Sequence, residues 1–128
     1  MDGKLYFHCA KSGHKLDAIR RNSKASFCVI GQDAVVPLEY TTYFRSVIAF
    51  GQIRIVEDPA CVQRAIQQLA CKYAPADSPE HRQQAIDREL AALCILEMEI
   101  EHITGKEAIE LVGRSAPVPG PLPPRKKE

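Results

Sequence analysis

The stretch YFHCAKSGHKLD, residues 6–17, gathers the side chains of this sequence best suited to chemistry. Lys11, Ser12, Gly13, His14 and Lys15 fall where an alternating run gives way to a helical one. Backbone N–H groups left free at a helix N-terminus attract anions, and a glycine there lets a ligand come close. Two lysines and a histidine add charge-assisted donors, so a phosphate is the natural guest. The same residues also read as a solvated turn with its lysines in water, and both readings stay open on composition. His8 shares a strand face with Tyr6 and Ala10, and taken alone it is as readily a hydrogen-bonded or half-exposed histidine. A second polar group, Thr41, Thr42, Tyr43, Arg45 and Ser46, supplies hydroxyls and a cation, or simply the polarity of a strand edge. No Ser-His-Asp arrangement and no metal-ligand spacing is present, so no metal site is expected.

These residues need elements to position them. KLYFHCA (4–10) alternates as a strand, with Leu5, Phe7 and Cys9 on one face. Leu16 and Ile19 mark a short amphipathic helix, with Ser12 as its expected N-cap. ASFCVIG (25–31) is a continuous apolar run and predicts a buried strand, and residues 32–42, with Pro37, predict a loop. YFRSVIAFGQIRIVE (43–57) predicts the longest strand, bent or bulged at Gly51. Asp58-Pro59 and Ser78-Pro79 are helix starts. Val62, Ile66, Leu69 and Tyr73 form the stripe of the first helix, and Ile86, Leu90 and Leu93 that of the second. Residues 94–103 predict a last strand, with Cys94, Leu96, Met98, Ile100 and His102 inward and Glu97, Glu99 and Glu101 in water. Thr104-Gly105 then turns into a short helical KEAIELV. The fold class is α+β, mainly β, with four strands. One domain spans 1–113, and the proline-rich basic segment 114–128 cannot pack a core and reads as a disordered tail.

At 128 residues the chain has room for one core. A net charge of +1 supplies no global basic field, so neither nucleic acid nor a membrane is an expected partner. There is no apolar run of transmembrane length and no signal-peptide pattern. Five cysteines without a CxxC pair, each in an apolar periodic segment, predict buried reduced thiols in a cytoplasmic protein.

Three blocks, LYFHCAKSGHKLDAIRRNSKASFCV, YTTYFRSVIAFGQIRIVED and EIEHITGKEAIELV, together resemble the pyridoxamine 5'-phosphate oxidase-related flavoproteins, and most of all their nitroimidazole-resistance (Nim-type) branch. The resemblance runs from about residue 4 to 112. It implies a dimeric split β-barrel with FMN in clefts at the subunit interface, and an oxidoreductase that passes electrons from NAD(P)H to a small acceptor such as a nitroaromatic. By position, His14 and Lys15 fall where related oxidases set an Arg-Lys pair on the phosphate. His8 and Cys9 lie where a strand passes the flavin, and Ser46 where a polar side chain points toward it. Lys11 joins this cofactor-binding set from charge and placement. His8 also matches a histidine that Nim-type proteins hold beside the flavin, which makes it the expected catalytic residue. The family's preceding helix and two strands have no counterpart before LYFHCA, so the expected barrel is short at its N-terminal side. A non-catalytic dimer that binds flavin weakly, or another ligand such as haem, is the alternative. A pyridoxine-pathway oxidase proper fits least, since that activity uses a substrate-contacting arginine and histidine near the C-terminus, and here the tail is proline-rich with Arg114 and Arg125 the only arginines beyond residue 90.

Overall fold

Among the described residues, β1 (Leu5–Ala10), α1 (His14–Arg21), β2 (Lys24–Val36), β3 (Thr41–Ile55), α2 (Pro59–Tyr73), α3 (Pro79–Glu89) and β4 (Leu93–Glu107) follow in chain order. The computed structural model describes residues 1–114, so the tail beyond Arg114 lies outside it. The strands form one sheet in the order β1-β4-β3-β2, which leaves β1 and β2 at the edges. The class is α+β, as expected.

Two compact units emerge, one of Met1–Ser26 with Phe50–His102, the other of Phe27–Ala49 with the described residues from Ile103. The first holds most of the core. Val56, Cys61, Ala65 and Ile95 form a buried cluster, with Tyr6, Val62, Ile66, Leu69 and Leu93 packed against it. Local signals place α2 over this cluster. The Asp58 carboxylate accepts hydrogen bonds from the Ala60 and Cys61 N–H groups, and Pro59 occupies the first turn, where no N–H is needed. The Ser78 hydroxyl caps α3 in the same way, accepting from the His81 N–H at 3.2 Å. Tyr73, predicted to close the α2 stripe, is exposed, because Cys61 and Ala65 take the buried face instead.

Gly51 explains how β3 approaches β4. A Cβ there would lie 1.8 Å from the Glu99 carbonyl oxygen, so the glycine serves a close backbone approach.

In the second unit, Ala49, Ala108 and Leu111 are the buried apolar residues. The run 25–31, predicted to be buried, is mostly exposed: Phe27, Val29 and Ile30 are open to solvent. β2 is an edge strand, with a neighbour on one side only. The expected loop at 32–42 is mostly strand, β2 running on to Val36. It ends at a helical turn, Pro37–Glu39, followed by Tyr40 in the left-handed region at φ 51°. The expected turn at Thr104-Gly105 does not form either. There β4 continues beside the start of β3, and the Ala108 N–H donates to the Phe44 carbonyl at 2.9 Å. Pairing with a neighbour strand outweighs the turn preference of the dipeptide.

Candidate functional site

The helix α1 begins one residue later than predicted. Gly13, not Ser12, is the N-cap, at φ 138° and ψ 167°, a backbone region that favours glycine. Its carbonyl accepts from the Leu16 and Asp17 N–H groups at 3.1 and 3.2 Å, and no side chain caps the helix. A Cβ on Gly13 would meet nothing within 4 Å, so the space over this turn is open. Lys11, His14 and Lys15 are all exposed. Among the described residues their side chains make no ion pair or hydrogen bond. Cations at the positive end of a helix dipole are unfavourable by themselves, whereas an anion placed among them is doubly favoured. Asp17 is the one acidic residue of this turn, and it faces Arg20 at 3.5 Å.

His8 is exposed on β1, and Cys9 is half-buried. Alternation sends their side chains to opposite faces. Tyr6, on the His8 face, packs against the α2 cluster. Cys9 lies opposite Cys94 on the other face. The strand that leads into the cationic turn therefore offers one of the two side chains to any single ligand.

Ser46 belongs to the second unit. It lines a groove of about 390 Å3 with Val29, Arg45, Val47, Lys106 and Glu107. Arg45 is held firmly: its Nε donates to Glu107 Oε2 at 2.8 Å, and its Nη2 donates to the Leu111 and Arg114 carbonyls at 2.6 and 2.5 Å. The Lys106 ammonium sits 5.7 Å from the Phe44 ring centroid.

A buried polar centre was missed by the sequence reasoning. Glu97, predicted to face water with Glu99 and Glu101, is 4% exposed. Its Oε1 accepts from Lys4 Nζ at 3.0 Å and from Arg54 Nε at 2.8 Å, and its Oε2 accepts from the Tyr6 hydroxyl at 2.7 Å. Burial by itself would raise the Glu97 pKa, but the donors Tyr6, Lys4 and Arg54 outweigh it and bring it to about 2. Burial, then the bonded Glu97 carboxylate, pushes the Tyr6 phenol well above its ordinary range. The centre thus ties residues of β1, β3 and β4 to one charge. A partial signal existed in the sequence: Glu97 shares its strand face with Leu93 and Ile95 on one side, although Glu99 and Glu101 follow on the other.

His102, predicted to point inward, is exposed and meets the Phe50 ring at a centroid distance of 6.2 Å. Of the five cysteines expected to be buried, Cys28 and Cys71 are exposed. No helix of the described residues is long and apolar enough to cross a membrane. Among those residues no cluster of three or more His, Cys, Asp or Glu is placed to hold a metal.

The four-stranded sheet with its flanking helices is split-barrel-like, the fold that the solved structures share. The chain belongs to the pyridoxamine 5'-phosphate oxidase family, whose model matches residues 1–107. Solved structures agree on the fold. A conserved hypothetical protein of Mycobacterium tuberculosis superposes with a TM-score of 0.71 at 18% identity, covering 94% of this chain and 71% of that one. A candidate 5-nitroimidazole antibiotic resistance protein of Bacteroides thetaiotaomicron gives 0.61 at 18% identity, over 80% of this chain and 60% of that one. An FAD and haem binding protein of Mycobacterium smegmatis gives 0.62 at 20% identity, over 85% of this chain and 55% of that one. The chain therefore spans little more than half the length of the last two. No curated protein sequence matches it significantly.

Proposed function

We propose that this chain is an FMN-binding oxidoreductase of the Nim type, taking electrons from NAD(P)H and delivering them to a small acceptor such as a nitroaromatic. The observation that carries this reading is the start of α1, where no side chain caps the helix and three cationic or ionisable side chains make no ion pair or hydrogen bond among the described residues. Such a site suits a small anion, and a dianionic phosphate gains most from several cationic donors. Lys11, His14 and Lys15 would hold the phosphate. Histidine offers no bidentate fork, so Lys11 and Lys15 would carry most of the attraction. By the family resemblance alone, Ser46 of the second unit is a further candidate for contact with flavin. His8, exposed on β1, would face the substrate as hydrogen-bond donor or proton relay, and Cys9 would contribute through its backbone, its side chain being turned away. Bound flavin supplies the redox chemistry, and the chain supplies binding and orientation.

A homodimer with the flavin at the subunit interface belongs to the same proposal. Its support is the apolar surface of the second unit, where Ile30, Val35, Leu38 and Tyr40 are 66–98% exposed. A cytoplasmic location fits five cysteines that are all free. One neighbour's haem favours a second reading, a non-catalytic split barrel that takes flavin weakly or binds haem instead.

Titration with FMN tests the first reading. Flavin fluorescence should quench on binding, and Lys15→Ala should weaken affinity roughly tenfold, the scale of one charge-assisted hydrogen bond. His14→Ala should weaken it less. Absent quenching refutes the proposal, and a Soret band with haem in its place supports the second reading.

A further inference from the structure

Cys9 and Cys94 stand directly opposite each other in the antiparallel β1–β4 register. Opposed residues of such strands project to the same face, with Cα atoms roughly 4.5–5.5 Å apart, inside the span a disulfide bridges. The two thiols also sense each other. Burial raises the Cys94 pKa, and Cys9 raises it further through charge and hydrogen bonding, against the pull of Arg20 and Lys11. The pair is asymmetric in access: Cys9 is half-buried and Cys94 is buried at 9% exposure. An accessible thiol beside a shielded one is the arrangement of an attacking and a resolving cysteine.

We infer that Cys9 and Cys94 form a peroxide-responsive dithiol, a modification site whose oxidation staples β1 to β4. The oxidant is a hydroperoxide. The Cys9 sulfur takes its terminal oxygen, the O–O bond breaks, and the remainder leaves as water or an alcohol. Cys94 sulfur then attacks the Cys9 sulfenic acid. An S–S bond forms, the S–O bond breaks, and the departing oxygen takes the Cys94 proton and leaves as water. Two thiols and one hydroperoxide thus become one disulfide, one water and one alcohol or second water, with two electrons passed from sulfur to peroxide. The raised Cys94 pKa leaves less thiolate for the second step near neutral pH, and that step speeds as pH rises. Opposed placement offsets this through a high effective concentration. The bridge would lie two residues before Lys11, so it would fix the strand that leads into the cationic turn. The reaction needs no flavin and stands apart from the proposed activity.

The test treats the full chain with hydrogen peroxide, blocks remaining thiols with an alkylating agent and maps the peptides. The expected result is a Cys9–Cys94 linked peptide, with three of the five thiols still alkylated. Dithiothreitol should reverse it, and the oxidised chain should melt at a higher temperature because a long loop is closed. Cys9→Ser, at a half-buried position, should fold like the reduced parent and give neither link nor melting shift. Alkylation of all five thiols after peroxide overturns the proposal. So does a link between other cysteines, or oxidation confined to Cys28 and Cys71.

Discussion

The two units of this chain use apolar residues in opposite ways. In the first, Leu16, Ile95, Leu96 and Met98 are all under 2% exposed, and even a glutamate is buried with its partners satisfied. In the second, Val29, Ile30, Val35, Val47, Ile103 and Val112 stand 42–72% exposed. A hydrophobic pattern marks residues suited to burial, and it does not say whether the fold buries them. In the first unit they are buried, with helix residues such as Leu16, Cys61, Ala65 and Ile86 among them, whereas in the second most of them stay exposed.

Substitutions should separate the units sharply. The largest effect belongs to Gly51→Val, whose side chain would collide with the Glu99 backbone. It should cost about 4 kcal/mol or more, enough to abolish a cooperative melt followed by circular dichroism. Next comes Ile95→Ala at a fully buried position, expected to destabilise by about 3–4 kcal/mol in urea unfolding. Ile30→Ser should behave differently. It should change the stability of the isolated chain by no more than about 0.5 kcal/mol while weakening self-association. Equal losses for Ile95→Ala and Ile30→Ser at low protein concentration would erase the distinction.

Glu97 gives the smaller, pH-dependent test. Its pKa is depressed from 4.5 to about 2, so its contribution is complete above pH 4.5 and is lost as pH falls toward 2. With Arg54 and Lys4 partly in water, that contribution is about 2 kcal/mol rather than the full linkage value. Glu97→Gln should flatten this part of the stability profile, and an unchanged acid limb would remove Glu97 from the account.

Local chemistry was legible in the sequence, and tertiary position was not. Asp58-Pro59 and Ser78-Pro79 announce their helices because a cap needs only neighbouring residues. The alternation of LYFHCA likewise states its own strand. By contrast, nothing within ASFCVIG tells an edge strand from a central one, since that depends on the sheet order. Thr104-Gly105 reads as a turn until β3 is placed beside it. Glu97 reads as a solvated carboxylate until Lys4, Tyr6 and Arg54 arrive from elsewhere in the chain. The cationic turn was found from residue types alone, but its true cap, Gly13, followed from backbone geometry.

The claim that the second unit is built to be covered by a second copy is tested most directly by solution mass. Sedimentation equilibrium at micromolar concentration should give twice the 14.2-kDa chain mass, shifting toward one copy in Ile30→Ser. A parent chain that stays at the single-chain mass, with or without added FMN, would contradict it.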